Sequence, residues 1–205
     1  LVFGSELKTV LAADRIPRKL NTEGLDLFLS LRYLPADSTM FDNIGKLLPG
    51  HRLSFRLGSD APVVGEYWQP REQALGSVDE IEAQLEDLLR DSVRLRLMSD
   101  VPLGAFLSGG LDSSAVVGLM RSVSEQPVKT FSIGFSEPTF DESGIARVVA
   151  EGFGTRHHEQ ILEPSHLLSA IPEIIGAMDE PMADPSIVPT TLLSRFARDS
   201  VKVAL

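Results

Sequence analysis

The sequence predicts an α/β protein with a doubly wound parallel sheet, and three observations lead to that prediction. From residue 101 onward, short apolar segments alternate with segments whose apolar residues recur every three or four positions. Such an alternation of strand and helix favours a parallel sheet with right-handed crossovers. The first strand of the series runs into two glycines that open a helix. The chain has 205 residues, 43% of them hydrophobic and 23% charged, which excludes a disordered or low-complexity chain.

The residue pattern of the first third of the chain predicts short helices and strands. Residues 1–5 have the pattern of a strand leaving a turn, and residues 6–13 that of a short helix. Asn21 is a suitable N-cap for a helix that ends near Leu34, before a proline. Apolar and polar residues alternate over 53–57, which predicts a strand, and residues 63–68 predict the returning strand.

The remainder begins with a long helix. Ser77 and Glu80 fit a capping box, and apolar residues follow at helical spacing to about Met98. A linker is predicted at residues 70–76. The later strands are predicted at 101–107, 128–135, 157–162 and 201–205, with helices at 112–124, 141–153, 165–178 and 189–199.

Charge and cysteine content restrict the partners. Residues 1–70 carry eight basic and eight acidic side chains, whereas residues 71–205 carry eleven and twenty-one. A phosphate-backbone interface needs clustered Lys and Arg, so nucleic acid is not expected as a partner. No apolar run is long enough to span a membrane, and no signal peptide is visible. The absence of cysteine excludes disulfides and suits a cytoplasmic protein.

The stretch that carries chemistry follows the strand at 101–107. Two glycines allow close approach to a ligand, serine hydroxyls supply donors, and the start of the next helix offers free N–H groups. Together these features predict a phosphate or pyrophosphate cradle. A carboxylate within it, Asp112, indicates a bridging Mg²⁺. The loop is not a Walker A motif, because no Gly-Lys pair follows the glycines. The cradle consists of Ser108, Gly109, Gly110, Leu111, Asp112, Ser113 and Ser114.

This string, Ser-Gly-Gly-Leu-Asp-Ser-Ser, resembles the pyrophosphate loop of the ATP pyrophosphatases. Its flanks resemble the glutamine-dependent asparagine synthetases. The similar segments occur in order along nearly the whole chain: 3–8, 48–51, 67–68, 95–107, 130–135, 140–143, 157–159, 179–186 and 189–190. The resemblance implies an adenine nucleotide α-hydrolase-like fold. It also implies three parts: a glutaminase-domain remnant at 1–20, a connector at 21–76 and the first part of a synthetase domain at 77–205.

The resemblance also implies a reaction. ATP adenylates a carboxylate, aspartate by default, Mg-pyrophosphate leaves, and ammonia derived from glutamine displaces AMP. The backbone at Leu107 and Ile133 would read the adenine edge, residues 108–114 would bind the phosphates, and Asp112 would hold Mg²⁺. Asp184 and Ser186 would belong to a loop near the substrate. None of these residues is assigned as catalytic.

Two features of the family are missing from this sequence. They are the amino-terminal cysteine nucleophile and the second glycine-acidic loop, expected after Leu205. We therefore expect an internal fragment that is inactive alone. Residues 1–20 should be poorly anchored, and the uncovered sheet should drive self-association, most simply as a homodimer.

Several alternatives stay open. The protein could be a β-lactam synthetase-like or other tailoring amidotransferase, or a non-catalytic nucleotide-binding module. His157 and His158 are neighbours on a predicted strand, so they should point to opposite faces and not share a metal. Asp141 either caps a helix or acts near the nucleotide. The acidic residues of the helix after Ser77 form a solvated face.

Overall fold

A computed structural model describes residues 1–72 and 76–205. The chain divides into two compact units: Leu1–Gln73 with Ile175–Pro185, and Ala74–Ile174 with Ser186–Leu205. Residues 73–75, which are part of the predicted linker, lie outside the described residues. The three-part division at residues 20 and 76 stays a prediction.

The first unit contains two helices and a hairpin. Asn21 caps the second helix as predicted, since its side-chain oxygen accepts the backbone N–H groups of Glu23 and Gly24, each at 3.1 Å. That helix ends at Leu31, three residues before the predicted end, and its C-cap Arg32 has a left-handed φ of 69°. The elements are α1 Leu7–Leu11, α2 Thr22–Leu31, β1 His51–Ser54 and β2 Val63–Glu66, with the two strands antiparallel.

The amino terminus differs from the prediction. Residues 1–5 form no strand, and α1 is anchored within the first unit. The Asp179 carboxylate accepts the backbone N–H groups of Leu7 and Lys8, the latter at 2.8 Å, and Lys8 Nζ donates to the Ala177 carbonyl at 2.9 Å. Leu7 is buried. The expectation of a poorly anchored segment is therefore wrong for α1, because a partner 172 residues away caps it.

The second unit is the predicted parallel α/β structure. Its four strands are parallel in the order β5-β4-β3-β6. The strands are β3 Leu103–Phe106, β4 Lys129–Phe135, β5 Arg156–Leu162 and β6 Val203–Ala204. The helices are α3 Val78–Arg96, α4 Leu111–Val123, α5 Ser143–Phe153, α6 Pro164–Ala177 and α7 Ile187–Arg198. The Ser77–Glu80 capping box at the start of α3 is confirmed.

Helices cover both faces of this sheet. In β3, Ala105 packs into a cluster with α3, α4 and α5, whereas its neighbour Phe106 packs with Phe131 and α7 on the opposite face. Alternate strand residues thus supply two cores, as side-chain alternation requires. The doubly wound arrangement predicted from the sequence is confirmed. The expectation that the sheet is left uncovered is wrong for this second face, because α7 packs on it.

Within the described ranges, no helix is both long and apolar enough to cross a bilayer.

Candidate functional site

The predicted phosphate loop joins β3 to α4 at the carboxyl end of the parallel sheet. Leu107 follows β3, is buried, and donates its backbone N–H to the Phe131 carbonyl at 2.9 Å. This bond continues the ladder between β3 and β4 for one residue. In open α/β sheets, ligands bind at this carboxyl edge. The fold therefore places residues 108–114 where a ligand site is expected.

Two serine hydroxyls fix the shape of the loop. Ser108 Oγ and Ser113 Oγ are 3.0 Å apart, and the Ser113 hydroxyl also accepts the Ser108 N–H at 3.3 Å. Ser108 Oγ in turn accepts the Gly110 N–H at 3.2 Å. The loop is thus closed by its own hydroxyls, so its backbone is ordered in advance of any ligand.

Gly109 makes a close approach that only glycine permits. Its φ is 82°, in the left-handed region. A Cβ built there would lie 2.8 Å from the Ala146 backbone nitrogen and 2.9 Å from the carbonyl carbon of Ile145. Both atoms belong to the first turn of α5. The loop therefore rests directly on the start of a second helix.

The start of α4 is open. Gly110 is its N-cap and, as a glycine, supplies no side-chain oxygen to the amide donors of the first turn. Leu111 and Asp112 are exposed. Ser114 Oγ is buried and has no hydrogen-bond partner in the part of the chain that the structure describes. The backbone N–H groups of this turn and the Ser114 hydroxyl can donate to an anion.

Asp112 is the carboxylate of the loop. Within residues 1–72 and 76–205, no three His, Asp or Glu side chains are grouped so that they could hold a metal. A cation at Asp112 would therefore need other oxygen ligands, and phosphate oxygens are suitable ones. The residues fit Mg²⁺ that arrives with a phosphate group.

Ile133 lies on the adjacent strand at the level of the loop. The register pairs Phe106 with Phe131, so Ile133 lies two residues further along β4, level with Ser108. Ile133 itself pairs with Gln160 of β5 and is half-buried. The fold thus brings Leu107, Ile133 and the loop to one edge of the sheet.

The two residues of the predicted substrate loop fall in different units. Asp184 is exposed and belongs to the first unit, whereas Ser186 belongs to the second. The Ser186 carbonyl accepts the Thr190 N–H at 3.0 Å, in the first turn of α7. Their role at a substrate stays a prediction.

Asp141 has more contacts than a simple cap. Its carboxylate accepts the Ser143 N–H and hydroxyl, each at 3.1 Å, and the Phe135 N–H at 3.3 Å. These bonds, the two from Ser143 above all, lower the pKa of Asp141 below its ordinary value. The residue thus connects the end of β4 to the start of α5. The sequence pattern indicated the helix start but not the bond to β4.

The two histidines point to opposite faces, as predicted. His157 Nδ1 lies 2.9 Å from Thr130 Oγ1 and its Nε2 lies 3.1 Å from Ser132 Oγ. His158 instead stacks on Phe131, with the ring centres 5.1 Å apart. Burial lowers the pKa of His157. Hydroxyl partners at both ring nitrogens indicate a structural role.

Two family models and several curated proteins match this chain. The family described as Asparagine synthase matches residues 84–205, and the Glutamine amidotransferase domain matches residues 1–68. A protein from Methanocaldococcus jannaschii, "Putative asparagine synthetase (glutamine-hydrolyzing) 2", is 36% identical over 100% of the chain. "Asparagine synthetase (glutamine-hydrolyzing) 1" of Bacillus subtilis is 30% identical over 99%.

Among solved structures, the NH3-dependent NAD synthetase from Campylobacter jejuni matches 63% of this chain and 56% of its own, with 15% identity and a TM-score of 0.39. The chain spans 40% of the archaeal relative and 32% of the Bacillus protein. The family match alone covers more than half of the residues. The chain belongs to the asparagine synthase family.

Proposed function

We propose that residues 108–114 bind the phosphates of ATP in an asparagine synthetase-like amidotransferase. In the full-length protein, a substrate carboxylate, aspartate by default, attacks the α-phosphate and Mg-pyrophosphate leaves. Ammonia derived from glutamine then displaces AMP from the acyl adenylate. The observation that carries this proposal is the open start of α4 behind Gly109, whose φ is 82°.

The phosphate contacts follow from the donors of the loop. The amide groups of the first turn of α4 and the positive end of its dipole favour an anion. Ser108 and Ser113 bond to each other, and their hydroxyls can turn to a phosphate oxygen. The buried hydroxyl of Ser114 gains a partner if a phosphate oxygen reaches it. This group of neutral donors compensates for the lack of a loop lysine.

Asp112 is the residue that would hold Mg²⁺. Its exposed carboxylate lies in the first turn of α4, where it can share the cation with phosphate oxygens. Mg²⁺ bound there would supply positive charge that offsets the charge of the departing pyrophosphate. The loop contributes fixed donors at the same place, which stabilises the charge that develops on the leaving group.

The adenine would lie along the strand ends. The backbone groups of Leu107 and Ile133 are at the same edge as the loop, and in this proposal they read the base. The adenine nucleotide α-hydrolase-like assignment belongs to the same proposal. Asp184 and Ser186 would border the acceptor substrate.

The proposal extends to the ammonia source, the cellular location and the self-association of the protein. The amidotransferase match at residues 1–68 supports an ammonia supply from glutamine. A cytoplasmic location is suggested by the cysteine-free sequence. Self-association, most simply as a homodimer, is proposed from the exposed apolar side chains of α3, which include Leu85 and Leu88.

ATP–pyrophosphate exchange in the full-length protein tests the function. Exchange of labelled pyrophosphate into ATP should require Mg²⁺ and aspartate, and Asp112→Asn should abolish it. Exchange with another carboxylate but not aspartate would instead favour a tailoring enzyme. No exchange with any carboxylate, together with tight ATP binding, would favour a non-catalytic nucleotide-binding module.

A further inference from the structure

We propose that Asp141 is a positioning residue for the phosphate loop. Its carboxylate holds the end of β4 and the start of α5 together, and α5 in turn supports Gly109. The consequence for ATP rests on the function proposed above, but the structural link does not. Asp141 itself would not touch the nucleotide.

The Asp141 carboxylate contacts the end of β4. Asp141 Oδ1 accepts the Phe135 N–H at 3.3 Å. A Cβ added to Gly134 would lie 2.8 Å from the same oxygen. The carboxylate therefore lies against the backbone of β4 immediately after Ile133. A change at Asp141 would reach the strand end where the adenine is proposed to bind.

The same carboxylate contacts the start of α5. Asp141 Oδ1 also accepts the Ser143 N–H, and Oδ2 accepts the Ser143 hydroxyl, each at 3.1 Å. Ser143 is 4% exposed. The first turn of α5 is closed by bonds from the N–H groups of Ile145 and Ala146 to the Glu142 carbonyl, at 3.1 and 3.3 Å. The start of α5 is thus fixed relative to β4.

The first turn of α5 in turn contacts the loop at Gly109. The hypothetical Cβ of Gly109 would lie 2.8 Å from Ala146 N and from Ile145 Cγ2, so the glycine lies against this turn. Because the loop has no spare room here, a displacement of α5 must displace Gly109. The amide groups of Gly109 and Gly110 would then lose their alignment.

A simple helix cap would not have this effect. The Ser77–Glu80 box also closes a helix start, since Glu80 accepts the Ser77 N–H at 2.8 Å and Ser77 Oγ accepts the Glu80 N–H at 3.4 Å. Among the described residues, neither side chain has a hydrogen bond to the loop. Ser77→Ala is therefore the matched control, because it weakens a helix start without touching residues 108–110.

The experiment compares backbone amide spectra of the ¹⁵N-labelled 205-residue chain without ligand. Asp141→Ala should shift or broaden the signals of Ser108, Gly109 and Gly110, whereas Ser77→Ala should leave them unchanged. In Asp141→Asn most of these signals should stay near their wild-type positions, since the amide oxygen can still accept the N–H groups of Phe135 and Ser143. If Asp141→Ala does not fold, Ser143→Ala removes the hydroxyl bond alone and should produce smaller shifts in the same signals.

Calorimetry then measures the dissociation constant for Mg·ATP. It should rise about tenfold in Asp141→Ala, the lower end of the loss that follows removal of a residue orienting a metal ligand. The rise should be smaller in Asp141→Asn and absent in Ser77→Ala. Unchanged signals at residues 108–110 in a folded Asp141 variant would overturn the structural link, whether or not ATP binds. Shifted signals with unchanged Mg·ATP affinity would overturn its role in binding. A wild-type chain that binds no Mg·ATP would contradict the proposed function, and the spectra would still decide the structural link.

Discussion

Gly109→Ala should destabilise the chain, because both the backbone conformation and the space at this position disfavour a Cβ. At φ 82°, a residue with a Cβ costs about 1–2 kcal/mol. The added methyl would also lie 2.8 Å from Ala146 N and 2.9 Å from Ile145 C. Both are backbone atoms of α5, which cannot rotate away, so overpacking should add about 1–3 kcal/mol. We expect a loss of about 3 kcal/mol, which lowers the melting temperature by roughly 6–12 °C for a chain of this size.

A second glycine provides the matched control. Gly152 lies in α5 itself, and a Cβ there would meet no heavy atom within 4 Å. Gly152→Ala should stabilise the chain by about 0.5–1 kcal/mol, because alanine loses less backbone entropy in a helix. The same chemical change is thus expected to have opposite signs at the two positions.

Urea unfolding followed by far-ultraviolet circular dichroism measures both variants. The expected result is a lower midpoint for Gly109→Ala and an equal or higher one for Gly152→Ala, with the denaturant slope unchanged. A Gly109→Ala protein as stable as wild type would refute the close contact between the loop and α5.

Three further predictions concern the whole chain. The purified chain should release no ammonia from glutamine, because it has no cysteine to act as nucleophile; release above that of a buffer blank would refute this. Burial lowers the pKa of His157 in the folded chain. As the pH falls below about 6.5, the imidazole is therefore protonated in the unfolded state before it is protonated in the folded state. Stability should then drop with pH more steeply in wild type than in His157→Gln, and equal slopes in urea titrations would contradict the assignment. Light scattering at micromolar concentration should show self-association, and Leu88→Glu should reduce it because Leu88 is 68% exposed on α3. A wild-type mass of 22.3 kDa would mean that the exposed apolar side chains of α3 do not drive self-association.

The sequence predicts the second unit well because its signals are local. Apolar periodicity, the Ser77 capping box and the strand–glycine–helix order each depend on residues a few positions apart. The resulting elements agree with the structure to within about two residues, and the parallel order follows from their alternation. The predicted phosphate loop lies at the carboxyl edge of the sheet for the same reason.

Interactions between distant residues could not be predicted in this way. Asp179 caps α1 from 172 positions away, and nothing in either segment indicates that partner. Residues 1–5 have a strand-like pattern but no strand forms, because β pairing requires a neighbour that local sequence does not reveal. The contact of Gly109 with α5 likewise depends on how two βα units pack.

The binding of Mg·ATP to the wild-type chain and to Asp112→Asn tests the central claim most directly. Calorimetry with Mg²⁺ present should give a clear binding isotherm for wild type and a weaker one for the variant, because the amide cannot share the cation with phosphate oxygens. Without Mg²⁺ the variant should bind ATP at least as tightly as wild type, because its amide does not repel the phosphates. Equal affinity of both proteins for Mg·ATP, or no binding to wild type, would contradict the assignment of residues 108–114 as an ATP phosphate site.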